Sequence, residues 1–375
     1  MAKKRLLILG GYGNTGRHIC RLLLQETDVE LMLGGRSPDK AHQAADELNR
    51  EIDGKRAAGM CVDASLQKSL QAAFQDVDMI IAASSTAEYA RLTAEAALSC
   101  DIDYLDIHFS PDKVRELQSL KHNIQKAGRC FITEAGFHPG LPAALIRHAA
   151  KLFTEIDSAC VGSLILQKIP TWDSVTEIVN AYKNYNGQFY ENGRWRKFES
   201  RKFDFGNEFG KRTCYSLFLE ELRQIPQVLP ALTKAGFYMA GFNWFVDWFF
   251  TPAAMLSLKI WPRIAINPLA ACLRWGINTF SSPPFGTLLK VEAHGVKNGQ
   301  KASFEMRLFN EDAYLFTAIA VVACLLQYLD GRILKPGLWM MGQVVEPRRL
   351  LKDMKRMGIE ITEKMEGADA VNAKR

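Results

Sequence analysis

Through about residue 135, short apolar runs of strand length alternate with longer stretches whose apolar positions recur every three to four residues. The apolar runs cover 5–9, 29–33, 57–62, 77–82, 104–107 and 129–133. The stretches with helical periodicity cover 17–25, 38–52, 65–74, 86–100 and 111–126. This alternation predicts a parallel sheet covered by helices on both faces, most simply six strands ordered 3-2-1-4-5-6. Every strand's carboxyl end would then point to one crevice. Asp63, the loop 83–86, the segment 106–108 and the segment 134–141 are expected to border it.

The pattern changes from about residue 155. Residues 159–167 read as a strand, 188–198 as a hairpin around Asn192-Gly193, and 288–309 as a longer hairpin around Asn298-Gly299. Asn-Gly suits a two-residue turn because both central residues can take positive φ. A sheet assembled from local hairpins is antiparallel. Past Asp312 the helical pattern returns and runs to Leu329, where Asp330-Gly331 stops it. A last helix is expected over 350–357 and a frayed tail over 367–375. The expected fold class is therefore α/β: a Rossmann-type, doubly wound parallel sheet over 1–150 with an inserted α+β domain over 151–311. Residues 312–375 would return to the first domain. The inserted domain is expected to carry the substrate pocket and a surface for homodimer formation.

Residues 237–282 stand apart. They hold four of the seven tryptophans and only four formal charges: Asp247, Lys259, Arg263 and Arg274. Pro252, Pro262 and Pro268 interrupt the run, so no apolar stretch of ~18 residues is available to cross a bilayer. A helical insertion packed into the second domain or a dimer interface is one reading. Peripheral contact with a membrane, or a lobe for a lipophilic substrate, is the other.

The sharpest chemical signal is Gly11-Tyr12-Gly13-Asn14-Thr15-Gly16, placed between an apolar run and a helix. Gly11 permits the tight turn, Gly13 lets backbone approach a pyrophosphate, and Gly16 allows helix and strand to pack closely. The amides that open the helix face the anion. An NAD site commonly carries a carboxylate about 20 residues further on, on the ribose 2′-hydroxyl. Here Gly34 and Gly35 lead into Arg36 and Ser37. A guanidinium grips a 2′-phosphate that a carboxylate would repel, so NADP(H) is expected over NAD(H). Asp63, Ser84 and Ser85 complete the candidate cofactor contacts.

Composition narrows the remaining options. A chain of 375 residues, 48% hydrophobic and 23% charged, describes a folded protein longer than one ordinary domain. The net charge of +6 is spread thinly, so nucleic-acid binding is not expected. Eight isolated cysteines with no Cys-x-x-Cys suggest neither a metal site nor a disulfide framework. No signal-peptide pattern opens the chain, and a cytoplasmic protein is expected. Proton handling at the crevice falls to His138 or His108, with Asp106 to orient an imidazole or bind a substrate amine.

Together these residues resemble the saccharopine dehydrogenase-like oxidoreductases. The resemblance rests on the glycine turn, on Asp103-Tyr104-Leu105-Asp106, and on Gly136-Phe137-His138-Pro139-Gly140-Leu141. It is supported by 313–329 and by Lys335-Pro336-Gly337. It implies NAD(P)-dependent formation or oxidation of a C–N bond in a small-molecule substrate. Members act on saccharopine, lysine or carboxypolyamines, and more distant ones are enoyl reductases of lipid metabolism. In the amino-acid enzymes Asp is common before the Pro-Gly pair, where this chain has His138. Two other readings stay open: a non-catalytic NADPH sensor or scaffold, and a reductase of a lipophilic substrate at a membrane surface. The absence of any Tyr-x-x-x-Lys disfavours an active short-chain reductase.

Overall fold

In a computed structural model, residues 3–169 and 171–367 are described. The expected tail over 367–375 lies, past its first residue, outside the described residues. The chain divides into two compact units. One holds the chain up to Ala144 together with Tyr314–Gly358; the other holds Leu145–Ala313 and the chain from Ile359 on.

The first unit is built on a parallel sheet. Its early strands are β1 (Arg5–Leu9), β2 (Glu30–Gly35), β3 (Ala57–Cys61), β4 (Met79–Ala82), β5 (Asp103–Asp106) and β6 (Cys130–Thr133). Leu6, Leu7, Ile8, Ile80 and Ile81 are wholly buried, as near-continuous apolar strands must be when helices cover both faces. The sequence suggested one helix over 111–126. The chain instead makes two short helices, Pro111–Ser119 and Lys121–Lys126.

The second unit contains β7 (Glu155–Leu166), β8 (Phe189–Glu191), β9 (Arg194–Arg196), β10 (Ser200–Asp204), β11 (Lys211–Ser216), β12 (Lys234–Ala240), β13 (Gly286–Lys297) and β14 (Gln300–Asn310). Both Asn-Gly hairpins form: β8 pairs with β9, and β13 with β14 over their full length. Asn192, Gly193, Asn298 and Gly299 all take positive φ, as these turns require. The expectation of an antiparallel sheet needs one correction, because β12 runs parallel to β7. The chain reaches β12 through a long connection rather than a hairpin, which frees it to dock in either direction. The sheet is therefore mixed. Phe203, Phe205, Phe209 and Tyr238 close over one face of it.

The Ala313–Leu329 helix is apolar almost all round and buried along its length, as a core helix must be. After it, β15 (Gly337–Met340) pairs in parallel with β6, giving seven strands in the order β15-β6-β5-β4-β1-β2-β3. The first six follow the expected order; the seventh was not expected from the sequence. The final helix, Pro347–Arg356, is capped by Glu346, whose carboxylate accepts from the backbone of Arg348 and Arg349. Beyond it β16 (Glu360–Glu366), also unexpected, joins β14 as an edge strand of the second sheet.

Candidate functional site

The glycine turn forms where β1 meets the Asn14–Glu26 helix. Gly10 takes φ +88°, and the Gly13 amide donates to the Gly10 carbonyl at 2.8 Å, closing the turn. A Cβ at Gly16 would run into that same carbonyl, so only glycine lets the helix sit against the turn. At Gly13 a Cβ would meet only the Gly10 oxygen, at 3.1 Å. No side chain caps this helix and its first turn carries no acid. The Pro38–Glu51 and Pro111–Ser119 helices differ, being capped by Ser37 and Ser110 with Asp39 and Asp112 in their first turns. The uncapped helix start thus suits an outside anion.

Around it lie the other strand ends. Tyr12 packs its ring against Gly35, where a side chain would collide with it, and its hydroxyl accepts the Ser37 amide at 3.2 Å. Arg36 follows β2 directly and is exposed. Asp63, just past β3, accepts from the Ser65 amide at 2.9 Å and hydroxyl at 2.7 Å. Those two bonds hold its carboxyl below the ordinary range, and the Arg36 guanidinium nearby adds to the effect. After β4, the Ser84 and Thr86 hydroxyls share a bond of 3.1 Å, while Ser85 is exposed. Asn14 and Thr15 open the helix.

The ends of β5 and β6 are tied by a buried polar knot. Asp106, fully buried, receives the Lys113 ammonium at 2.6 Å and the His108 amide at 3.2 Å on one oxygen. Its other oxygen receives the Thr133 hydroxyl at 2.7 Å. Lys113 donates further to the His108 carbonyl at 2.7 Å and to Thr133 at 2.8 Å. Burial alone would push the Asp106 carboxyl up, but Lys113 and then His108 bring it below its ordinary range. Asp106 is thus an ionised, engaged acceptor, a poor proton carrier and a good anchor for the turn. Lys113 and Thr133 were not among the residues singled out from sequence. One signal for Lys113 existed: a cation in the first turn of a helix opposes the macrodipole and calls for a local carboxylate.

His108 Nε2 bonds the Ser84 carbonyl, which fixes the proton on that nitrogen and straps the β5 loop to the β4 loop. The turn after β6 carries His138. Glu134, almost wholly buried, takes φ +55° there and donates its amide to Asp106 at 3.3 Å. A residue of this size in the left-handed region is uncommon and marks a tightly determined turn. Gly140, at φ +124°, has no room for a Cβ against Gly136 and the Glu134 carbonyl. The His138 ring packs 4.5 Å from Phe137, which packs 4.7 Å from Phe316. Burial disfavours its imidazolium and lowers its pKa to about 4, so the ring is neutral at pH 7.

The candidate cofactor and proton-handling residues therefore lie at or just beyond the carboxyl ends of the parallel strands. Those ends are where open α/β sheets take their ligands. In the second unit two arginines are paired with carboxylates: Arg201 binds Glu292 at 2.6 Å and Arg223 binds Glu220 at 2.5 Å. Among the described residues no cluster of His, Cys, Asp and Glu could hold a metal ion.

A glycine turn, an uncapped helix and a basic strand end define a dinucleotide-binding protein. Residues 6–132 match the family described as Saccharopine dehydrogenase NADP binding domain. That match covers about a third of the chain, and over it the first unit carries an NADP-binding domain of the saccharopine dehydrogenase kind. A curated relative, carboxyaminopropylagmatine dehydrogenase of Synechocystis sp., is 24% identical over 259 residues, 64% of this chain. The match spans 62% of that protein's length. Apo saccharopine dehydrogenase (L-Glu forming) from Saccharomyces cerevisiae shares the fold, with a TM-score of 0.72 at 14% identity. That likeness covers 96% of this chain and 99% of the yeast chain.

Proposed function

We propose that this protein is an NADP(H)-dependent oxidoreductase acting on an imine or secondary amine. The observation that carries the reading is the pairing of an NADP-binding domain with an uncapped helix start beside an exposed Arg36. Gly11 to Gly16 hold the pyrophosphate on backbone amides. Arg36 and the Ser37 hydroxyl take the 2′-phosphate, with Tyr12 holding the Ser37 amide in place. Asp63, Ser84 and Ser85 border the same cofactor. Bound NADPH supplies the hydride, and NADP+ accepts it.

The protein's own task is to position the reacting carbon, exclude water and manage one proton. His138 and His108 are the candidates for the proton, with His108 Nε2 bonded to the Ser84 carbonyl. As a neutral imidazole His138 can donate an N–H to a substrate nitrogen, and a nearby bound cation or anion would reset its pKa. Asp106 acts through the turn it anchors. His138, standing where the amino-acid enzymes commonly carry Asp, points away from saccharopine itself as the substrate.

Two measurements test this. NADPH should bind at least about tenfold more tightly than NADH, a difference of roughly 1.4 kcal/mol, and Arg36→Ala should weaken NADPH alone. Equal affinities in the wild type would sink the cofactor assignment. NADPH oxidation should then be followed across a panel of cyclic imines and of oxo-acid–amine pairs. His138→Ala should lower turnover by ~10²-fold or more with cofactor affinity kept. Tight NADPH binding without turnover on any C=N substrate would favour a sensor instead.

A further inference from the structure

We propose that the helical lobe of the second unit docks on an anionic phospholipid surface. The proposal is independent of the reductase reading. The lobe contains a turn of π-helix at Val246–Phe250 followed by the Thr251–Ile260 and Ile266–Phe280 helices. One side is an ordinary core: Val246, Phe250, Ala254 and Leu258 recur every four residues and pack with Ala270, Leu273 and Ile277. The opposite side of the same helix is equally apolar and faces out. Trp244, Trp248, Leu256 and Ile260 recur every four residues about Pro252, and Trp261 and Ile264 follow at the helix end. Trp248 is 77% exposed and Ile264 79%, more than isolated surface hydrophobes explain.

Charge selects the occupant. The lobe exposes Lys259, Arg263 and Arg274 against a single exposed acid, Asp247, for a net charge of +2. Its one acid, Asp247, turns back on its own chain, where a carboxylate oxygen accepts the Phe242 amide at 2.9 Å. Tryptophans flanked by cations match the headgroup region of a bilayer, with rings at the acyl boundary and ammonium and guanidinium groups among phosphates. Crossing the bilayer is ruled out by length: the 15-residue Ile266–Phe280 helix spans about 22 Å, and the helical run through Thr251–Ile260 about 25 Å, against a hydrocarbon core of about 30 Å. Among the described residues no helix is long and apolar enough to cross. The lobe lies on the surface.

The test is flotation of the full chain with phosphatidylcholine vesicles, with or without about 30% phosphatidylglycerol, a fraction that gives a negative surface. The protein should float with the anionic vesicles, less so as salt rises, with a blue shift of tryptophan emission. Trp248→Ser with Ile264→Ser should lower vesicle affinity by about tenfold or more. Lys259→Glu with Arg263→Glu should cost roughly fivefold per charge removed and erase the preference for anionic lipid. All positions are exposed, and an unchanged NADPH titration will show that the variants are folded. Failure to float with anionic vesicles, or equal binding to neutral ones, overturns the proposal. So does a dimer in light scattering that the same substitutions dissociate.

Discussion

At His138 the balance of burial and charge can be read directly in stability. Burial lowers its pKa from about 6.5 to about 4. The unfolded chain therefore binds a proton that the folded one refuses between those values. Stability from this group is complete above pH ~6.5 and is lost as pH falls towards ~4, by about 3 kcal/mol in all. His138→Asn should flatten that part of the curve in urea titrations. An unchanged slope would show that another group carries the acid sensitivity. Lys113 gives the complementary case. Lys113→Met would leave the Asp106 carboxylate buried against hydroxyl and amide donors alone, at a cost of about 3–5 kcal/mol. Chemical denaturation should register it, and Lys113→Met with Asp106→Asn should recover a large part. The position of His108 and His138 after strand ends was legible in the sequence, because the apolar runs that precede them are easy to bound. The knot beneath them was not, since Asp106, Lys113 and Thr133 come from two strands and a helix and meet only in the fold.

Among the elements, the glycine turn separates two roles that a single motif conflates. Gly16 is needed for packing, because its missing Cβ makes room for the Gly10 carbonyl. Gly13 stands at the uncapped helix start with little against it in the protein. Gly16→Ala should thus destabilise the first unit by roughly 1–3 kcal/mol, as overpacking does, and take cofactor binding with it. Gly13→Ala should reduce NADPH affinity while leaving the melting temperature close to wild type. Equal stability losses in both would refute this division. Strand and helix existence was readable here because each period ran long enough to count. β15 escaped because Gly337–Met340 is four residues long and hidden among turn residues. The direction of β12 escaped for another reason: hairpin signals fix antiparallel neighbours, and nothing local fixes the partner of a strand reached by a long connection.

For the whole molecule, the backbone visits each unit twice, since the Ala313–Leu329 helix and β15 rejoin the first sheet and β16 then joins the second. The NADP-binding domain was legible because it rests on a compact run near the start of the chain. The second unit carries no comparable run, and only the fold separates the packed side of its aromatic stretch from the outward-facing one. The return of β15 sets a timetable for synthesis. β6 ends at Thr133, and the strand that covers its open edge begins at Gly337. About 200 residues intervene, on the order of 10–40 s of translation. Throughout that interval the nascent first sheet presents unpaired amides and carbonyls beside Phe131 and Ile132, the kind of edge on which chains cross-associate. A chain ended at Pro336 keeps the glycine turn, Arg36 and both histidines yet should collect in the insoluble fraction unless a holding chaperone is supplied. Soluble, NADPH-binding protein from that truncation would show that the edge guards itself. If the truncated chain aggregates, the pairing of the last strand of the first sheet is the step at which the newborn protein stops needing protection from its neighbours.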